Sequence, residues 1–396
     1  MQTSGPLTGV RVLELGQIAA GPFAGSLLAD LGADVVKIEN PSMGDGMRSW
    51  PPLSKNEAGE AYSENFASLN RNKRSVALDL KDEGDVAELK ALCAAADILI
   101  ENYRPGVLDR LGLGYDALKQ VNPKLVMCSI SGYGQTGPYA TKGAFDVTVQ
   151  AMSGLMSVTG EDDSGPVKCG VPVGDFCAGL YAAFAVTAAV LRARAPGGTG
   201  CHVDCSMLGC LIGVSALQTS EYFGTGASAG RLGSAHPRNA PYQAFKASDD
   251  YFVIAAGTDK LWQQVCEAVG MPGLKDRPEF IDQASRAKNQ KQLAVILEEK
   301  FQHDTAKNWL QEFETRGVPA SPINTYADVF NDAHVQHMGI VKDLVLPNGV
   351  KTKTTNFPIT LSGYELAIHR NPPSLGEHNQ EVLKEWAVQK EELLKE

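Results

Sequence analysis

The sequence predicts an α/β protein: a large domain built on a doubly wound parallel sheet, and a smaller α+β domain. Three observations predict it. From Val10 to Ser131, short runs rich in Val, Ile and Leu alternate with helical patterns, and parallel strands require such crossovers. Near residue 224 the alternation stops, and a Gly-, Ser-, Ala- and Pro-rich stretch (224–245) leads into a hairpin pattern and helices. A Pro347-Asn348-Gly349 turn and a closing helix follow these. The expected boundaries are 1–223 for the large domain and 224–325 for the small one, with 326–396 following it.

Taken in order, Val10–Leu15 reads as a strand, Ala20–Leu31 as a helix and Asp34–Glu39 as a second strand, a βαβ opening. An acidic residue such as Glu39, ending the second strand, is where a dinucleotide-binding fold holds a ribose. The first turn nevertheless runs Gly16-Gln-Ile-Ala-Ala-Gly21 and lacks G-x-G-x-x-G, so an NAD-dependent oxidoreductase stands only as an alternative. Next comes the loop Met43–Pro52, carrying Arg48 and Trp50. Asn70–Ser75 follows with Arg71, Lys73 and Arg74, placed before a strand Val76–Leu80, where it reads equally as a solvated face or a phosphate site. Helix 83–95 leads to the strand Asp97–Asn102, whose carboxyl end presents Asn102, Tyr103 and Arg104. Another helix passes through Leu108 and Leu111, Lys124–Ser131 is the next strand, and Gly143–Asp146 opens a helix. His202–Ser206 reads as a strand leading to a helix through Tyr222. Tyr242–Ala256 is a hairpin turning at Ser248–Asp250, followed by helices near 259–269, 288–301, 304–316 and, at the end, 379–395.

A chain of 396 residues, 43% hydrophobic and 21% charged, can bury a large core. Its net charge of −10 argues against nucleic acid as the main partner. Residues 1–10 carry neither a signal nor a transit pattern, so a cytoplasmic location is expected. The eight cysteines lie mostly in apolar runs and read as reduced core thiols. Cys201, His202, Cys205 and Cys210 straddle a strand-to-helix junction, and no metal is expected there.

Asp175 is the pivot. Gly170-Val-Pro-Val-Gly174 holds the approach in turns and the composition becomes helical from Phe176, so Asp175 falls where a helix begins, as an N-cap or as a carboxylate kept ionised by backbone N–H groups. The sixteen residues Phe176–Leu191 carry no charge, but many are Ala and Arg192 and Arg194 close the run. They read as a buried core helix instead of a membrane span.

With these stretches laid out, the sequence resembles the family III CoA-transferases, a group that also contains the alpha-methylacyl-CoA racemases. The resemblance is carried by Leu13-Glu-Leu15 through Ala20-Gly-Pro22, Leu31–Glu39, Gly44-Asp45, Asn72–Ser75, Glu101-Asn102 with Pro105-Gly106, Gly132–Pro138, Gly174-Asp175 and Leu375-Gly-Glu-His378. It implies a Rossmann-like large domain built from both chain ends, a small domain inserted between, and a homodimer of two interlocked chains. It also implies that Asp175 is the catalytic carboxylate. Coenzyme A contacts are implied at or near Ala19, Asn40, Arg74, Leu78, Lys81, Asn102, Tyr103, Arg104, Arg110, Lys142 and Phe145. Three phosphates and a thiol need several cations and amides, which the first third of the chain supplies.

The expected reaction moves coenzyme A, brought as an acyl-CoA co-substrate, to a free carboxylic acid through an aspartyl anhydride and an aspartyl-CoA thioester. Residues near Gly16–Ala20 or the 234–241 loop are expected to stabilise the oxyanions. Racemases of the group carry His at the position of Phe145, and a phenyl ring moves no proton, so racemisation or epimerisation is a secondary alternative. The glycine run that covers the catalytic Asp in oxalate- and formate-using members is replaced here by His236–Pro241. The Ser234-Ala-His-Pro and Pro241-Tyr-Gln-Ala-Phe stretches look closer to succinyl-CoA:glutarate-type members, so dicarboxylates are expected, with succinyl-CoA or another dicarboxylyl-CoA as donor. Gln17, Arg48, Trp50, His236 and Arg238 are then candidates for substrate binding.

Overall fold

The computed structural model describes residues 5–393, which divide into two compact units. The first takes the chain up to Leu155, Lys168–Gly226 and the chain from Gln336 onward; the second takes Met156–Val167 and Ala227–Val335. The divisions expected near 223 and 325 fall at 226 and 335, and the inclusion of Met156–Val167 in the second unit is new.

Six parallel strands form the sheet of the first unit: β1 (Arg11–Glu14), β2 (Asp34–Glu39), β3 (Lys73–Ala77), β4 (Ile98–Glu101), β5 (Val126–Ser131) and β6 (His202–Ser206). Their order is β3-β2-β1-β4-β5-β6, so the direction of winding reverses between β1 and β4. Leu13 pairs with Val36 on one side and Leu99 on the other, which sets the register at the sheet's centre. The helices that matter for the site are α1 (Ala20–Asp30), α2 (Glu83–Ala95), α3 (Asp146–Met152), α4 (Val173–Arg194), α5 (Met207–Val214), α6 (Ala216–Thr225) and α7 (Asn379–Leu393).

Successive strand residues point to opposite faces, and both faces of this sheet are covered. Val12, Val35 and Ile100 pack with Ala24 and Leu28 of α1 and Ala178, Ala182 and Val186 of α4. Leu13, Val36 and Leu99 pack with Leu89 and Leu92 of α2, and α7 returns Val382 and Trp386 to that side. The end of the helix expected to reach residue 395 lies outside the described residues.

By length and composition α4 could cross a membrane. In this unit its stripe Ala178, Ala182, Val186, Val190 and Ala193 recurs at helical spacing and is buried in the core against α1. The opposite face leaves Leu180, Phe184 and Leu191 exposed.

Two of the boundaries that differ from expectation bear on the site. β3 begins at Lys73 instead of Val76, which puts Lys73 and Arg74 of the basic run inside the sheet, and α4 begins at Val173, which moves Asp175 into its first turn.

The second unit carries an antiparallel sheet in which Tyr251–Ala255 lies between Tyr242–Lys246 and Ala320–Pro322. Phe245, Phe252, Phe301, Phe313 and Trp262 form its core beneath the helices Asp259–Ala268, Gln290–Phe301 and Ala306–Thr315. Arg286 is fully buried there and donates to the carbonyls of Ala240, Phe280 and Gly257 and to Asp259.

Candidate active site

At the reversal between β1 and β4 the carboxyl ends of neighbouring strands diverge, which is where open α/β sheets bind ligands. A cavity of about 200 Å³ lies there, walled by Gln17–Ala20 after β1, Asn102–Pro105 after β4, Ile130–Tyr133 at the end of β5, Lys142 and Ala144–Asp146 around the start of α3, and Asp175 of α4. The turn after β1 is tight: a Cβ on Gly16 would sit 2.9 Å from Gly21 Cα, so both positions require glycine for the loop to fold back onto α1. Asn102 ties the same turn to β4, its Oδ1 accepting from Gln17 N–H at 2.8 Å and its Nδ2 donating to the Gln17 carbonyl at 2.9 Å. Helix α1 then begins at the cavity wall with no side-chain cap on its first N–H groups.

The capping role that the sequence offered to Asp175 belongs to Asp146. Its Oδ1 accepts from Gly174 N–H at 2.7 Å and from Asp175 N–H at 3.4 Å, and its Oδ2 accepts from Gln150 Nε2 at 2.6 Å. Gln150 is itself fixed, accepting from Cys169 N–H at 2.9 Å. Among the described residues no hydrogen bond or ion pair reaches the Asp175 carboxylate. The expectation that backbone N–H groups keep it ionised is therefore corrected in its cause: those N–H groups serve Asp146, while burial first, and the Asp146 charge second, push the Asp175 pKa up to about 6. At neutral pH it remains mostly ionised, but poorly solvated and more basic than a surface aspartate. Those are the properties of an activated nucleophile.

The charges around β1, β2 and β3 are the reverse case. Glu14 meets Lys37 at 2.8 Å and Lys73 at 2.5 Å, and Lys37 also meets Asp45 at 2.9 Å, all four side chains being buried. Two carboxylates thus face two ammonium groups. Burial alone would lower both lysines; Glu14 and Asp45 outweigh it for Lys37, which stays raised, whereas Lys73 falls to about 8.

The phosphate reading of the basic run fails on this geometry. Arg71 pairs with Asp30, Lys73 with Glu14, and Arg74 with Asp34, Glu381 and Glu385. Three carboxylates around Arg74 leave no cation to offer a phosphate, so its expected coenzyme A contact is replaced by a structural role joining β2, β3 and α7. Arg48 is withdrawn from the substrate candidates on the same ground: Nε and Nη2 each reach Glu39 at 2.7 Å, Nη1 donates to the Pro373 carbonyl, and the guanidinium lies 3.8 Å from the Phe66 ring centroid. Glu39 also accepts from Ser75 Oγ and Asp45 N–H, which fills both of its oxygens and leaves none for the ribose of a dinucleotide.

The chain matches CoA-transferase family III across residues 7–379. It belongs to that family. It is 40% identical over 381 residues to the succinyl-CoA:glutarate CoA-transferase of Mus musculus, covering 96% of this chain and 86% of that protein. It is 39% identical over 382 residues to the succinate--glutarate CoA-transferase of Agrobacterium fabrum, covering 96% and 95%. The crystal structure of a CAIB/BAIF family protein from Brucella suis superposes with a TM-score of 0.86 at 40% identity, covering 97% and 100%.

In this CoA-transferase the cavity gathers Asp175, Gln17, Ala19, Asn102, Tyr103, Arg104, Lys142 and Phe145 from the residues expected by sequence. Arg104 is exposed and, among the described residues, forms no ion pair; Lys142 lies 4.6 Å from the Tyr139 ring centroid and likewise forms none. Phe145 is 74% exposed at the cavity wall. Leu78 is buried just past β3, and Lys81 and Arg110 are exposed outside the cavity lining. Asn40 closes a turn on Ser42, accepting from its N–H at 2.9 Å and its Oγ at 2.6 Å. Trp50 is exposed and does not line the cavity.

His236 and Arg238 belong to the second unit, where His236 Nδ1 accepts from the N–H groups of Arg238 and Asn239, each at 3.1 Å. Asp146, as the cap of α4, is the site's unforeseen member, and Asp45, outside the cavity lining, holds Ile18 N–H within the Gly16–Ala20 stretch expected to stabilise the oxyanions. An Asp opening α3 signals a cap for its own helix, and nothing local says that it caps α4 instead.

Proposed function

We propose that this chain transfers coenzyme A from succinyl-CoA to a free dicarboxylic acid of about the size of glutarate, with Asp175 as the covalent carrier. The observation that carries this reading is a partly buried carboxylate in the first turn of α4, in one cavity with two cations, none of the three paired among the described residues. At about 200 Å³ the cavity is smaller than the roughly 300–1,000 Å³ that drug-sized ligands fill. It suits the thioester end of the donor and the acid, with the rest of coenzyme A running over Arg104, Lys142 and the exposed Phe145 ring. The curated relatives supply the acids: succinate and glutarate appear in their names.

An Asp175 oxygen attacks the thioester carbonyl of the donor; the carbon–sulfur bond breaks, the electron pair leaves with the thiolate, and Asp175 becomes a mixed anhydride. Asp175 Cγ is then attacked by that thiolate, its bond to the bridging oxygen breaks, and succinate departs, leaving Asp175 as a thioester. The acceptor carboxylate attacks Cγ and the steps run in reverse, so no net proton, water or redox partner is consumed. Each addition places negative charge on a carbonyl oxygen, for which the uncapped start of α1 at Ala19 and Ala20 provides N–H donors. Asp146 serves by keeping the α4 N–H groups occupied, so that Asp175 is not quenched by them.

A homodimer is part of this reading. Its support is the apolar surface that the first unit leaves uncovered on α4 to α6, where Phe184 is 75%, Leu191 71%, Leu217 62% and Phe223 81% exposed. The test of function is to incubate the enzyme with succinyl-CoA and a series of dicarboxylates and to measure the new acyl-CoA by mass spectrometry. Glutaryl-CoA formed by the wild type and absent with Asp175→Ala is expected; exchange that survives in the variant would overturn the assignment.

A further inference from the structure

The turn after β1 holds a β-branched residue in the left-handed region, Ile18 at φ 66°. Isoleucine does not stay there unaided, because the branched Cβ crowds its own backbone. The surroundings hold the turn through four of its backbone polar groups. The Gly16 carbonyl accepts from Lys37 Nζ at 2.7 Å, Gln17 is held on both sides by Asn102, and Ile18 N–H donates to Asp45 Oδ1 and Oδ2 at 3.0 and 3.1 Å. Asp45 is set for this by its own turn: Gly44, at φ 65°, brings Asp45 N–H to Glu39 at 3.0 Å, and Met47 N–H donates back to Asp45 at 2.9 Å. Lys37 touches both arms, the Gly16 carbonyl and the Asp45 carboxylate at 2.9 Å, without solvent contact. The next two residues, Ala19 and Ala20, share a cavity wall with Asp175.

We propose that Lys37, Asp45 and Asn102 act as positioning residues, a clamp that holds Ile18 in its left-handed conformation and so aims the Ala19–Ala20 backbone at the carbonyl undergoing attack by Asp175. The buried pair beneath the turn is then more than core electrostatics. It converts a conformation that is unfavourable at a single residue into a fixed feature of the site. This inference rests on the transferase reading above.

The test compares wild type, Asp45→Asn and the double variant Asp45→Asn with Ile18→Gly, reading the single-turnover rate of Asp175 acylation by succinyl-CoA with hydroxylamine as trap, alongside KM, circular dichroism and thermal unfolding. Asp45→Asn is expected to lower kcat by ~10–100-fold with KM within about threefold, since a misplacement near 1 Å costs about that much. Glycine adopts positive φ without help, so the added Ile18→Gly is expected to recover about tenfold of the lost rate without recovering thermal stability. Should Asp45→Asn not fold, Asn102→Ala releases the same turn from its other anchor without touching the ion pairs, and a kcat loss that an added Ile18→Gly partly recovers is again expected.

An Asp45→Asn enzyme whose rate falls only with its folded fraction, or a double variant that recovers nothing, overturns the clamp while leaving the transferase intact. A wild type that forms no hydroxamate at Asp175 overturns the transferase reading and this inference with it.

Discussion

Two sets of charged residues share one α/β unit and are treated oppositely. Beneath the sheet's carboxyl edge, Glu14, Lys37, Lys73 and Asp45 neutralise one another out of water, and Arg48 and Arg74 are enclosed by carboxylates. A short distance along the chain from these strands, Arg104 and Lys142 line a cavity and, among the described residues, form no ion pair, and Asp175 keeps a carboxylate that none of those residues donates to. Paired buried charge is architecture; unpaired charge at a cavity is a place left for something else. The contrast locates the chemistry more firmly than residue type does, because the sequence offers cations at both places.

The contrast can be broken from either side. Replacing the nucleophile should have the largest effect: Asp175→Ala is expected to reduce transfer by ~10⁴-fold or more. Because Asp175 contributes burial and repulsion from Asp146 and no partner, the same variant should unfold at an equal or higher denaturant concentration than wild type, as a urea titration would show. Next comes the opposite experiment on the paired set. Glu14→Gln leaves Lys37 and Lys73 facing each other with half their compensation gone, and it should cost about 3–5 kcal/mol in the same titration.

The fold was legible where the signal was local. The βαβ opening, helix 83–95, strand 34–39 and the hairpin at 242–255 all lie where periodicity and turn residues put them. The fates of Arg48, Lys73 and Arg74 were not legible, because their partners come from distant segments: Arg74 meets Asp34 in β2 and Glu381 and Glu385 in α7. A basic run reads identically whether three carboxylates or a phosphate await it. Asp175 could be found because glycines and a helix start bracket it, whereas its neighbour Asp146 caps α4 from a different helix, a relation that no spacing encodes.

Two smaller effects sharpen the comparison. Arg104→Ala should raise KM for succinyl-CoA ~10–100-fold, the size of one or two charged hydrogen bonds. It should also flatten the dependence of KM on ionic strength, since an exposed cation acts through screened attraction. The last is a pH effect. Asp175 reacts as the carboxylate, so with its pKa near 6 the rate at low acyl-CoA should fall about tenfold per unit below that pH. Asp146→Asn removes the second cause of the rise and should move this acidic limb downward.

The sign for stability follows from the same shift. The native carboxylate binds its proton more tightly than the unfolded chain does, so this group makes stability fall as pH rises between about 4 and 6, and Asp175→Asn should abolish that component.

The central claim is that Asp175 carries the transferred group covalently. The most direct measurement supplies an acceptor acid labelled with heavy oxygen in its carboxylates, together with succinyl-CoA, and weighs the peptide containing Asp175 after turnover. Attack by the acceptor on Asp175 Cγ, followed by return of the thiolate to the acceptor's own carbon, leaves the bridging oxygen on the aspartate, so heavy oxygen is expected in the Asp175 carboxylate. Labelled acceptor converted to its CoA ester with no heavy oxygen in Asp175 would contradict the account.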